Sequence, residues 1–236
     1  MTSYRIRELL RRFDARADTA VTGRISSFLG ETILKEAVAH WLLSTGHTVE
    51  LLPGVPTRDD TAFGTNCPKP KVRDLDAWFL LDDTELAAVE CKTTTASSMD
   101  GKPVPDDPAE LAAFSRTEWS AMVAAHIDTR NWTRTNKVFL PLRPPRGLDP
   151  AVAEAAMAGM RRILAVWRPT SRDGAAFVSE VTSDSVHDDQ SVPATAEVFS
   201  ASLYLRSLLD RGELLLPARL GATEQLMNAA TEILGP

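Results

Sequence analysis

Residues 73–95 read R-D-L-D-A-W-F-L-L-D-D-T-E-L-A-A-V-E-C-K-T-T-T, two apolar runs separated by the polar triplet Asp82-Asp83-Thr84. Trp78, Phe79, Leu80 and Leu81 lead into the triplet; Leu86, Ala87, Ala88 and Val89 lead out of it. Apolar residues at consecutive positions suit strands covered on both faces, so the stretch predicts a central β-hairpin. A three-residue loop at 82–84 pairs Leu81 with Glu85, and counting back sets Asp76 opposite Glu90. Side chains alternate with period two, so Glu90 and Lys92 then share a face with Asp76, and Cys91 points the other way. One loop residue more or fewer breaks this register.

Two carboxylates directly opposite each other on a sheet sit about 5 Å apart. At an effective dielectric of about 20 they repel by roughly 3 kcal/mol. A favourable cross-strand pair contributes only about 0.2–1 kcal/mol, so repulsion wins unless a cation occupies the gap. Lys92 neutralises the pair in part. A hard divalent ion does so more fully: Asp76, Glu90 and the carbonyl of Cys91 together offer Mg²⁺ three oxygens. The structural alternative is an ion triad of Asp76, Glu90 and Lys92 within the sheet.

An aspartate, a hairpin and then Glu90-Cys91-Lys92 inside a strand resembles the PD-(D/E)xK nuclease superfamily, which has the restriction-endonuclease-like fold. The resemblance covers roughly residues 26–143, with Leu75 standing where the family name has proline. A second acid-x-lysine triplet, Asp100-Gly101-Lys102, lies in a Gly/Pro-rich turn with no strand to present it. The resemblance implies an α/β fold, a mixed central sheet flanked by helices. It also implies an Mg²⁺-dependent endodeoxyribonuclease, with Mn²⁺ as a possible substitute, of a restriction, anti-phage defence or repair system. Asp76, Glu90, Lys92 and Glu31 are then catalytic, because members of this superfamily often bring a helical glutamate to the metal from where Glu31 stands. Asp76, Glu90 and the Cys91 carbonyl are the implied metal ligands. The Gln-x-x-x-Tyr helix of the RecB-like branch is missing.

Composition bounds the partners. The 236 residues carry a net charge of −6, which argues against coating nucleic acid by bulk attraction but not against local phosphate contacts. No run of 18 or more apolar residues exists, and M-T-S-Y-R-I-R-E-L-L-R-R lacks the apolar block of a signal peptide. Cys67 and Cys91 give neither a disulfide framework nor zinc-type spacing, and Cys91 reads as a core thiol. The expectation is a cytoplasmic chain without membrane contact, possible as a homodimer or with a partner protein of a defence system.

The remaining chain supplies the frame. Residues 4–18 predict an Arg-rich helix, either a solvated face or a phosphate-contacting arm. Ser26 or Ser27 caps a second helix that Gly46 stops, with Leu34, Ala37, Val38, Trp41 and Leu42 as its apolar stripe. Glu31 leans toward that stripe, as a candidate for the site or as a first-turn carboxylate favoured by the helix dipole. Glu36 points elsewhere and reads as surface. Residues 48–52 predict a strand, and a long loop follows that ends in Lys69, Lys71 and Arg73, either a phosphate grip or a solvated basic run. Asp107-Pro108-Ala109-Glu110 is a capping box that opens a helix to about residue 127, where His126 reads as a helix-end residue more readily than a catalyst. Arg130, Arg134 and Lys137 interleave with Trp132 before a strand at 138–142, a pattern compatible with nucleic-acid backbone contact.

The expected organisation is a nuclease-like core over residues 1–148. Residues 149–236, mostly helical, complete the same domain or form an oligomerisation or target-contact region. Helices are expected at 150–167, 194–209 and 222–234, a short strand at 175–181 and a polar loop at 182–192. Arg161, Arg162, Arg168 and Arg172 read as surface. DNA is the expected substrate. An RNA-directed nuclease or toxin with the same site, and a non-catalytic module that only binds DNA or a partner, remain as alternatives.

Overall fold

The computed structural model describes residues 3–14, 20–52, 75–93, 103–127, 137–139, 142, 144–145, 148–187 and 190–220. The chain runs β1 (Ser3–Arg5), α1 (Ile6–Asp14), α2 (Ala20–Ser44), β2 (Val49–Leu52), β3 (Ala77–Leu81), β4 (Glu85–Lys92) and α3 (Pro108–His126). A 3-10 turn at Lys137–Phe139 follows, then α4 (Pro150–Ala158), β5 (Arg161–Val166), β6 (Val178–His187), β7 (Gln190–Ser200), α5 (Ala201–Asp210) and β8 (Leu215–Pro217).

The central hairpin forms in the predicted register, with Leu81 opposite Glu85 and Ala77 opposite Val89. Asp82 and Asp83 both take positive φ, 49° and 61°, a conformation that aspartate tolerates in turns. The turn is fastened from outside: Asp82 accepts hydrogen bonds from the Thr48 amide at 2.8 Å and the Thr48 hydroxyl at 3.2 Å, and its other oxygen meets His47 Nδ1 at 2.7 Å. These bonds tie the turn to the two residues just before β2.

Six strands form one mixed sheet in the order β2-β3-β4-β5-β7-β6. β3 runs antiparallel to both β2 and β4, β4, β5 and β7 run parallel, and β6 closes the far edge antiparallel to β7. Alternation along β4 sends Ala87, Val89 and Cys91 into a core with Ile33, Leu34, Ala37, Val38 and Trp41 of α2 and Tyr204, Leu205 and Leu208 of α5. On the opposite face Met122 and Ile127, with Val138 and Phe139, cover Leu164, Val166 and Val198. Ala156 of α4 packs beside Trp78, Leu86 and Ala88 on that same side. Each such fully buried large apolar side chain contributes about 1.5–3 kcal/mol, so the sheet is held from both sides. The result is an α/β fold with a mixed central sheet and helices on both faces.

Several expectations need correction. Residues 149–220 are not mostly helical: they supply β5, β6 and β7, half of the six-stranded sheet. The helix expected over 150–167 ends at Ala158 and gives way to β5, and the one expected over 194–209 is β7 up to Ser200 before α5 begins. The polar stretch 182–192 belongs largely to the β6–β7 hairpin rather than to a loop. Lys137–Phe139 is a 3-10 turn and not the start of a strand. The helix expected from Ser26 or Ser27 begins earlier, at Ala20, and the helix expected from residue 4 starts at Ile6 because Ser3–Arg5 pairs with β8. The helix expected at 222–234 lies outside the described residues. Gly46, with φ of 100°, ends α2 as expected, and Asp107 caps α3 by accepting from Ala109 and Glu110 N–H at 2.9 and 3.0 Å.

Glu36 is 1% exposed and not at the surface. Its two oxygens accept the amides of Arg219 and Leu220 at 2.9 and 3.0 Å. α2 is covered by the sheet on one side and, at Glu36, by the chain after β8 on another. The arginines also differ from expectation. Arg161 forms two bonds to Glu197 at 2.8 and 2.9 Å and lies over the Trp41 ring at 5.2 Å. Arg162 donates to the Val138 carbonyl at 2.5 Å. Arg168, 5% exposed, pairs with the buried Glu118 at 3.6 Å, while Arg172 is exposed.

Candidate active site at the end of the central hairpin

Extending the β3–β4 register one step beyond Ala77 and Val89 places Asp76 opposite Glu90. Asp76 lies just outside β3, and its carboxylate accepts the Cys91 amide at 2.6 Å, the role a strand carbonyl plays further along the ladder. The position is as expected, but the side chain turns toward the edge of β4 instead of standing straight up beside Glu90. Lys92 O accepts the Trp167 amide at 3.1 Å on the β5 side. Neighbouring residues of a strand point their backbone groups to opposite sides, so the Cys91 N–H and C=O both face the Asp76 side.

Glu90 is 1% exposed and Lys92, about one-third exposed, reaches back along the strand to pair with it. A buried carboxylate is expensive unless paired and hydrogen-bonded, and the i, i+2 spacing on one face supplies the ammonium locally. Cys91, between them, is buried on the other face. Burial first, and then the nearby Asp76, pushes its thiol well above the ordinary range, so it stays protonated.

α2 brings in the third carboxylate. Gly30 is buried against Thr93, where a methyl group would overlap the threonine side chain, so the helix backbone rides directly on the end of β4. That close approach sets Glu31, half-buried, beside the strand end. Burial raises its carboxyl pKa, and the negative charge of Asp76 raises it further; Glu90 acts in the same sense, with Lys35 and Lys92 opposing. Glu31, Asp76, Glu90 and Lys92 therefore share one electrostatic neighbourhood. Among the described residues no three His, Cys, Asp or Glu side chains stand close enough together to form a cage around an ion.

His126 sits in the last turn of α3, one turn beyond Met122, which packs with Val166. Val166 is the neighbour of Lys92 in the β4–β5 ladder. Burial lowers the imidazole pKa, and the charge of Lys92 lowers it further. The helix-end position was legible in the sequence; the proximity to Lys92 was not, because it depends on the parallel pairing of β4 with β5. Lys69, Lys71, Arg73, Arg130 and Arg134, expected to contact nucleic acid, lie outside the described residues, as does the side chain of Lys137.

Comparison with protein-family models, curated proteins and solved structures returns no match. Among the described residues no helix is long and apolar enough to cross a membrane.

Proposed function

We propose that the chain is a metal-dependent nuclease that hydrolyses phosphodiester bonds in DNA, in a restriction, anti-phage defence or repair setting. The observation that supports this reading is that Asp76, Glu90, Lys92 and Glu31 share one electrostatic neighbourhood at the end of the hairpin. The run α2-β2-β3-β4-α3 supports the reading as far as α3; in place of the strand expected at 138–142, β5 follows α4 and lies parallel beside β4.

In this reading Asp76, Glu90 and the Cys91 carbonyl would hold Mg²⁺. Their hard oxygens suit it, and Mg²⁺ is commonly held by one or two carboxylates while keeping several waters. When bound, the ion supplies a Lewis acid for the phosphoryl oxygen and lowers the pKa of a water. Lys92, anchored by Glu90, directs a positive charge at the phosphoryl group as negative charge builds there. Glu31 contributes from α2, directly or through water. Phosphodiester hydrolysis needs positioning and charge neutralisation more than a covalent intermediate, which matches this residue set.

The test is relaxation and linearisation of plasmid DNA with Mg²⁺ by wild type, Glu90→Ala and Lys92→Ala, each variant losing about 100-fold or more. Equal activity in all three removes the proposal. A second readout needs no turnover: Mg²⁺ raises the melting temperature of the wild type and not that of Asp76→Asn. Single-stranded RNA assayed in parallel separates an RNA-directed nuclease from one acting on DNA.

A second reading has its own observation. Lys92 is paired with Glu90, and one Asp76 oxygen holds the Cys91 amide. Those contacts suit a sheet end that serves a non-catalytic binding module. DNA binding unaffected by EDTA, with no cleavage, favours it.

A further inference from the structure

α1, α5 and the chain leading into α3 line an open cleft of about 620 Å³. Arg7 and Arg11, one turn apart on α1, line it together with Arg206 of α5. Leu10, Leu111 and Leu209 form its apolar wall. Small-molecule sites commonly span roughly 300–1,000 Å³ and combine an apolar lining with a few placed polar groups. Guanidinium groups from two helices beside an apolar wall match an anion that carries a flat, weakly polar body.

Two carboxylates, Asp106 and Asp210, face the same cleft and bear on that match. The Asp106 side chain is fully exposed, and its oxygen lies 3.5 Å from Arg206 Nη1. An exposed ion pair of this kind contributes about 0–1 kcal/mol. Guanidinium–phosphate bonding is charge-assisted and often bidentate, so it is the stronger contact. A phosphate therefore displaces Asp106, which has open solvent to swing into. Arg206 is only 21% exposed, so its side chain is largely desolvated before any anion arrives. Arg11 is engaged by Glu8 at 2.6 and 3.0 Å and acts through its field, whereas Arg7 is exposed at the rim.

We propose that this cleft binds a nucleotide, its phosphate on Arg206 and Arg7 and its base against Leu10, Leu111 and Leu209. The inference does not rest on the carboxylate site and survives its failure. The same chemistry is presented by a free mononucleotide and by one unpaired nucleotide of a strand.

Isothermal titration of the intact chain with deoxyadenosine 5′-monophosphate, inorganic phosphate and a 5′-phosphorylated deoxytetranucleotide tests it. The mononucleotide is expected to bind saturably and about tenfold tighter than inorganic phosphate, because the base adds an apolar contact. Arg7→Gln weakens that binding by about five- to tenfold. Asp106→Asn tightens it by about threefold, since the competing carboxylate is gone. Both positions are exposed, and unchanged melting temperatures show that the variants fold. A tetranucleotide that binds tighter than the mononucleotide identifies a strand as the source, and one that binds equally or more weakly identifies the free nucleotide. No saturable binding of any probe overturns the proposal, as do variants indistinguishable from wild type. A mononucleotide no tighter than inorganic phosphate overturns the assignment of the base wall.

Discussion

Gly30 of α2 packs so closely on Thr93 that any side chain at position 30 would overlap it, and the Phe13 ring lies 3.5 Å from the same point. This contact sets the height of α2 above the end of β4, and hence the distance from Glu31 to the other carboxylates. Gly30→Ala is expected to destabilise the fold by about 1–3 kcal/mol, the usual effect of overpacking. Adding Thr93→Ala should restore much of that loss, since the obstructing methyl is removed. Chemical denaturation of the two single variants and the double variant measures it. A Gly30→Ala protein as stable as wild type would show that the helix is not pinned there.

The Glu90–Lys92 pair makes a prediction about stability that is separate from activity. Glu90 is 1% exposed, so Lys92→Met removes the ammonium from a carboxylate that water does not reach. The expected loss is about 1–3 kcal/mol, toward the low end of one-sided breaks because Lys92 is itself partly solvated. Glu90→Gln placed on Lys92→Met should recover stability, as it removes the charge that Lys92 had balanced. Urea unfolding of the double-mutant cycle reports the coupling. Additive losses would mean that the two side chains do not depend on each other.

Glu31 carries a pH signature with a definite sign. Its folded-state pKa is raised, by burial first and by Asp76 second, so the folded protein binds this proton more tightly than the unfolded chain. Stability therefore declines as pH rises from the ordinary glutamate value, about 4.3, through the raised one, and is flat beyond it. Glu31→Gln is expected to stabilise the protein at neutral pH and to make little difference below the ordinary value. Melting temperatures of the two proteins across that window decide it. A variant less stable than wild type at neutral pH would contradict the assigned cause.

The sequence made the hairpin legible because its register depends only on local features: an apolar run, a three-residue polar turn and a second apolar run. Asp76 opposite Glu90 follows from those alone. The Asp107 cap and the Gly46 stop are equally local. Strands β5 and β7 were not legible. Arg161–Val166 follows an Ala-rich helix with only Gly159 and Met160 between them, and a strand buried on both faces shows no alternation to betray it. Its identity as a strand comes from pairing with β4, some seventy residues earlier in the chain. Glu36 illustrates the same limit for charge, since the amide that holds it, Arg219 N–H, is 183 residues away. Position on the helix wheel indicates which side chains leave the main stripe but not what covers them.

Asp82 supplies the last prediction, at the opposite end of the hairpin from the carboxylates. Its pKa is lowered, chiefly by the His47 hydrogen bond and then by the Thr48 amide. A depressed carboxyl contributes stability above its unfolded value, about 3.9, and loses it as pH falls through the folded value. The acid limb of the stability curve should therefore be shallower in Asp82→Asn than in wild type. Asparagine also tolerates the positive φ at this position, so the turn keeps its shape and only the charge is removed. Hydrogen exchange gives the local counterpart: the Thr48 amide, which donates to Asp82 at 2.8 Å, should exchange faster in the variant. Unchanged exchange at Thr48 together with an unchanged acid limb would mean that the turn holds its register without Asp82.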